Sequence, residues 1–364
     1  ACFLEEQERF YEMKKIVSGM LLLASCSLTM VAPAGANDGL SQASVLGPQA
    51  LHAVLLDIDH AGARLIAVGE RGVVLLSDDN GLSWRQAPSP VSTTLTSVQF
   101  VDSSNGWAVG HSGVVLHSAD AGVSWQVQLD GTQAAAIELH AAEHSGDAKR
   151  LASAQRLSAD GADKPLLAIN FSDAHNGIVV GAYGLALLTR DGGKTWQSKM
   201  GDLPNPRGLH YYAMARHHDK ILIAGEQGLL LRSMDGGASF SALQGSYDGS
   251  YFAAAILPSG RLLVGGLRGK LFASDDDGAT FNAIDTPAPA SLNAIRVEGE
   301  QLLLTNQAGM VLKGGLKDLK LEPIAVSEGL PLSAVTATPD GNLVAVGVAG
   351  AQRVAPSSLS KIAD

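Results

Sequence analysis

The sequence predicts an all-β chain, a seven-bladed β-propeller of four-stranded antiparallel blades with one mostly helical insertion. Three observations predict it. A Gly-x-x-Gly turn, or its equivalent, recurs with its second glycine at Gly72, Gly113, Gly184, Gly228, Gly269, Gly309 and Gly350. The spacing is about forty residues, with one step longer by about thirty, which is the period of a propeller blade. Each unit also divides into four short apolar runs separated by turn residues, and the 41 glycines of the 364 residues supply those turns.

The elements follow in chain order. Residues 1–12 are polar and acidic and read as upstream of the true start. Residues 13–36 read as a secretory signal peptide. Lys14 and Lys15 are followed by an apolar run too short to span a bilayer, and Ala34-Gly35-Ala36 is a small-residue cleavage site. Leu23-Ala24-Ser25-Cys26 also has the form of a lipobox, which would make Cys26 a lipid anchor. Both readings export the protein, to the periplasm. The two cysteines, Cys2 and Cys26, precede the cleavage site. The folded part therefore has no disulfide, thiolate metal site or cysteine nucleophile. The propeller is expected over residues 37–358, with a tail at 359–364.

Blade two shows the four-strand pattern in full, over 94–101, 107–110, 114–118 and 124–128. The insertion, about Gln133–Lys164, lies between blades two and three. It is alanine-rich and reads as helical, broken at Gly146, with Ile137, Leu151 and Leu157 seating it on the propeller. The last unit has three strands and lacks a fourth. The segment Gln42–Leu46 has no other assignment and is expected to supply that outer strand and close the ring.

Five units carry Ser/Thr-x-Asp-x-Gly-x-Ser/Thr-Trp/Phe. The pairs are Asp79 with Trp84, Asp120 with Trp125, Asp191 with Trp196, Asp235 with Phe240 and Asp276 with Phe281. In such a turn the carboxylate accepts bonds from its own backbone, the glycine takes positive φ, and the ring packs between sheets. These ten residues are expected to be structural. The motif is the Asp-box, or BNR repeat, and it has decayed in blades six and seven. The chain resembles Asp-box propellers of sialidases, of sortilin-type receptors and, over most of residues 42–354, of the photosystem II stability/assembly-factor-like family. That last resemblance implies a non-catalytic propeller that assists membrane-protein assembly through a basic patch. The net charge of −10 departs from a basic picture. Bacterial relatives of this kind look like envelope accessory proteins of unknown role, some of them expected to serve membrane transporters, and a photosynthetic member would be exported to a thylakoid lumen.

Strand alternation separates two faces. The Asp-boxes lie with the turns between third and fourth strands. The second-to-third turns and the connections between blades lie on the other face. That face is expected to bind a protein partner through Arg71, His111, Tyr183, Tyr211, Tyr212, Glu226, Tyr247, Tyr251 and Arg268, since tyrosine and arginine anchor interfaces. The insertion falls on the same face.

Other chemistries find less support. Nucleic-acid binding needs clustered Lys and Arg, which an acidic chain lacks. His140-Ala141-Ala142-Glu143-His144 matches a metallopeptidase pattern without that fold, and reads as chance. Gly192-Gly193-Lys194-Thr195 belongs to an Asp-box rather than a phosphate loop. The rival enzyme is a sialidase-type glycosidase using Tyr183 with Glu226. No cofactor or metal is expected, and the chain reads as monomeric with peripheral membrane association.

Overall fold

The computed structural model describes residues 39–326 and 329–354. The leader, Cys26 and the tail at 359–364 lie outside the described residues. The described chain forms seven antiparallel sheets in sequence order. Six have four strands, each running from the centre outward in chain order. Blade one, for example, is built from Leu55–Ala61, Arg64–Gly69, Val74–Ser77 and Arg85–Ala87. Blade two has Leu95–Phe100, Gly106–Gly110, Val115–Ser118 and Gln126–Leu129, within two residues of the pattern read from the sequence.

The second strands are buried almost throughout, as in Leu262–Gly266 and Leu343–Gly347. A strand with sheets packed on both faces reads as a continuous apolar run rather than an alternating one. Seven apolar clusters result, each spanning two adjacent blades. One joins blades one and two through Ile66, Leu76, Val98 and Trp125. Another joins blades seven and one through Val344, Val346, Ile58 and Leu65 and so closes the ring. The aromatic rings of the Asp-boxes belong to these layers. Trp125 sits edge-on to Phe100 and Trp196 edge-on to Phe171.

The innermost strands leave a row of unpaired backbone groups around the axis, which must find partners elsewhere. Side chains from the neighbouring blade supply them. Asp57 accepts from the Val98 N–H at 3.0 Å and Asp59 from the Phe100 N–H at 2.7 Å. The Gln99 amide spans Phe171, accepting its N–H at 2.6 Å and donating to its carbonyl at 3.1 Å.

The insertion is a helical hairpin, α1 (Gly131–Glu143) and α2 (Ala148–Asp160), turned at Gly146 with φ +72°. Asp130 and Gln133 form a capping box at the start of α1. Ile137 packs against the core between blades two and three, Leu157 is buried, and Leu151 is half-buried.

One expectation is corrected. Among the described residues blade seven has three strands, Leu332–Ala337, Leu343–Gly347 and Gly350–Val354. Gln42–Leu46 does not pair with them and forms no strand. It runs along the flank of blade one, where the Ser44 N–H donates to the Ser89 carbonyl and the Gln86 amide donates to the Val45 carbonyl. Pro48–His52, a short 3-10 helix, then carries the chain into the first strand.

Candidate partner-binding face

The two faces differ in how far their polar groups are already used. On the Asp-box face the turns consume their own carboxylates. Asp79 accepts from the Ser77 hydroxyl at 2.8 Å, the Ser83 N–H at 2.9 Å and the Ser83 hydroxyl at 2.5 Å. The same three bonds recur at Asp120, Asp191, Asp235 and Asp276. Hydroxyl donation from Ser83, Thr195 and Thr280 holds Asp79, Asp191 and Asp276 down to about 2, and Asp235 is lowered as well, first by Ser239. A carboxyl depressed in the folded state contributes stability above its unfolded pKa, near 4, and loses it as pH falls towards the folded value. The unfolding midpoint in urea is therefore expected to hold from pH 7 to about 4 and to fall between 4 and 2, read by circular dichroism. Asp57, raised by burial, works in the opposite sense.

The opposite face is built from tight turns between second and third strands, which present side chains outward. Arg71, Ser112, Tyr183, Gln227 and Arg268 occupy equivalent places, all in the left-handed region with φ between 51° and 57°. That conformation costs a non-glycine residue about 1 kcal/mol. The glycine after each is held by close approach. A Cβ on Gly72 would lie 2.0 Å from the Val91 carbonyl oxygen, and one on Gly228 would lie 2.4 Å from that of Tyr247.

Arg71, His111 and Arg268 are exposed on these turns. Tyr183 is 55% exposed, with the Lys164 ammonium 4.8 Å from its ring centroid. From Tyr183 a row of rings crosses blades three to five: His210 at 4.7 Å, then Tyr212 at 5.9 Å, then Phe252 at 5.2 Å. Arg207 flanks the row and donates to Gln227 at 2.9 Å.

The remaining predicted residues divide. Glu226 is half-buried and accepts the His210 N–H at 3.2 Å, as Glu70 accepts that of Val54 at 3.1 Å. Its role is partly to hold the incoming connection. Tyr247 is half-buried, with its hydroxyl donating to the Leu267 carbonyl at 3.3 Å. Tyr211 and Tyr251 are corrections. They are 1% and 0% exposed, and burial pushes both hydroxyls up to about 12. Adjacent strand residues point to opposite sides, so in each aromatic pair one ring enters the core and the other faces out. His210 lies in a connection that the sequence places on this face, whereas Phe252 and Lys164 were not among the predicted residues. The same alternation singles out Phe252 once Tyr251 is placed inside.

The insertion stands beside this row. Glu138 is 2% exposed and takes a bidentate bond from Arg150, both distances 2.9 Å. It also accepts from the Ser198 hydroxyl, which ties both helices to the outer strand of blade three. A cleft of about 450 Å³ opens between α2 and the blade three–four connection, lined by Lys149, Arg150, Tyr183, Asn205 and Pro206. A second, of about 600 Å³, lies between Gln42–Ala53 and the blade-one turn at Arg71.

The enzymatic constellations are not assembled. Glu226 is engaged with the backbone at His210 while Tyr183 packs on the His210 ring, so His210 stands between them. The His140 and His144 rings lie 4.6 Å apart, with the His144 Nδ1 at 2.8 Å from the His140 carbonyl. Among the described residues no group of three or more His, Cys, Asp or Glu is placed to hold a metal ion. No described helix is long and apolar enough to cross a membrane.

Comparison with known proteins places this architecture. The chain is 32% identical over 77 residues to the Photosystem II assembly lipoprotein Ycf48 of Synechococcus sp. (strain CC9902), a stretch covering 21% of this chain and 23% of that protein. In fold it is similar to YCF48 bound to D1 peptide, at TM-score 0.61 and 17% identity over 86% of this chain and 95% of the other. It is equally similar to YCF48 from Cyanidioschyzon merolae, at TM-score 0.61 and 16% identity over 84% and 97%. The model of the family described as Photosynthesis system II assembly factor YCF48 matches residues 46–134 and 151–250, over half of the chain, and to that family the chain belongs.

Proposed function

We propose that this protein is a non-catalytic, exported propeller that binds a membrane-protein partner through the turn face and supports that partner's assembly, stability or transport activity. The observation that carries the reading is the asymmetry of the two faces. The Asp-box carboxylates are consumed by their own turns. The turn face holds exposed Arg71, Tyr183 and Arg268 in left-handed backbone, with exposed His111 in the turn of blade two and a row of rings beside them. Family membership supports the class of activity, and the relative solved with a D1 peptide supports a membrane-protein partner. Export rests on residues 13–36, and the relative named as a lipoprotein supports attachment through Cys26 as one form of it.

The test is crosslinking and co-purification from native membranes, followed by mass spectrometry. Wild type is expected to recover one membrane complex. Arg71→Glu with Arg268→Glu is expected to reduce recovery tenfold or more. Arg71→Gly with Arg268→Gly should do the same while leaving the melting temperature equal or higher, because glycine relaxes the left-handed turns. Undiminished recovery in both double variants would move docking off this face. Glycoside hydrolysis abolished by Glu226→Gln would overturn the non-catalytic reading.

A further inference from the structure

Among the described residues blade seven differs from the other six in its outer edge. In the other six blades an outer strand of two to five residues covers the third. Among the described residues nothing covers Gly350–Val354. Gly347 and Gly350 close its hairpin as a hydrogen-bonded pair, and Ala351 and Arg353 pair with Val346 and Val344 in the alternate positions. By the alternation of an antiparallel ladder, the N–H and C=O groups of Ala351 and Arg353 therefore face outward.

The connection that follows a fourth strand is nevertheless in place. A Cβ on Gly350 would lie 2.8 Å from the Leu51 carbonyl oxygen, as one on Gly72 would meet that of Val91. The residues before that connection turn away to blade one, held there by bonds to Ser89 and Gln86. The edge also has an apolar rim at its turn-face end. Leu51, Leu330 and Val348 are 40%, 42% and 40% exposed. Val348 donates to the Pro331 carbonyl at 3.3 Å, beside Leu330, and Leu51 abuts Gly350.

We propose that this edge is a second docking site, which receives an extended segment of the partner protein as the fourth strand of blade seven. Only an extended polypeptide presents donors and acceptors at the spacing that the edge groups require. The occupant is a run of about five residues, antiparallel to Gly350–Val354, with an apolar residue where it meets Leu51, Leu330 and Val348. The choice of a partner strand rests on the protein-binding function proposed above, while the site itself is independent of Arg71 and Arg268.

The test uses the full chain and a labelled synthetic peptide reproducing Ser124–Leu129, the outer strand of blade two. Binding is read by fluorescence anisotropy and by amide hydrogen exchange. Saturable binding is expected, with the Ala351 and Arg353 amides slowed at least tenfold. Arg353→Pro removes an outward N–H and is expected to abolish binding. Arg353→Ala also loses the ion pair to Asp340 but keeps that N–H, and is expected to bind like wild type. Arg71→Glu with Arg268→Glu should leave peptide binding unchanged, so a failure of the turn-face reading is seen separately. No binding to wild type would overturn the proposal. So would slow exchange at both amides in the free protein, whether from the chain's own residues or from a second copy, the latter visible as a dimer in light scattering. Equal binding by Arg353→Pro and Arg353→Ala would place the peptide elsewhere and overturn it too.

Discussion

Trp107→Ala is expected to lower the free energy of unfolding by about 4 kcal/mol, the middle of the range for truncating a buried aromatic residue. Trp107 lies in the second strand of blade two and is 0% exposed. Its ring stacks on Phe171 of blade three, with centroids 3.8 Å apart and planes 8° from parallel. The His117 ring lies 4.8 Å away. The indole N–H donates to Gln128 at 3.1 Å, and the amide of Gln128 donates in turn to the Gly192 carbonyl at 2.9 Å. Truncation thus leaves a cavity between two blades and removes the donor that orients Gln128. Trp107→Phe keeps a ring to stack on Phe171 but loses the bond and part of the indole's volume, so about 2 kcal/mol is expected. Urea unfolding of the two variants measures both losses. A loss below about 1.5 kcal/mol for the alanine variant would mean that blades two and three close over the gap.

What the sequence made legible follows the range over which each interaction acts. The Asp-boxes are complete within eight residues, so composition and spacing reveal them. The turn glycines Gly72, Gly113, Gly184, Gly228 and Gly269 are nearly as local, because each meets the connection that follows its own blade. The insertion was readable as helical because its alanines and the break at Gly146 are local signals. The placement of Tyr211 and Tyr251 was not, because a register shift lies at the start of each strand and decides which ring turns inward. The path of Gln42–Leu46 depended on bonds to Ser89 and Gln86, some forty residues away. The row from Tyr183 to Phe252 draws on three blades, so no single repeat contains it.

The polar network around the axis was the least legible part, and it carries the second large effect. Arg296, in the innermost strand of blade six, reaches past blade seven to blade one. It donates to the Ile58 carbonyl at 2.8 Å, pairs with Asp59, and donates to Glu298 at 3.1 Å. Glu298 accepts from Thr336 of blade seven at 2.9 Å, and Thr336 lies 2.8 Å from the His60 imidazole of blade one. Residues 237 positions apart in the chain thus clasp the ring across the innermost strands of blades six, seven and one. The side chains of Arg296 and Asp59 are 29% and 13% exposed, so solvent screens the pair only in part. Removing one partner of a buried pair strands the other, at about 3–5 kcal/mol where burial is complete. For Arg296→Met about 2–3 kcal/mol is expected, since this pair keeps some contact with water. The variant would leave Asp57, Asp59 and Glu298 together without their cation. Burial already raises the Asp57 carboxyl, and protonating it relieves that repulsion, so the deficit should be full at pH 7 and narrow as pH falls. Arg296→Lys keeps the charge but not the planar fork that meets two blades at once, and should fall between. Urea unfolding at pH 7 and pH 4.5 measures both differences. If the methionine variant matches wild type at pH 7, the apolar layer between blades seven and one closes the ring without the clasp.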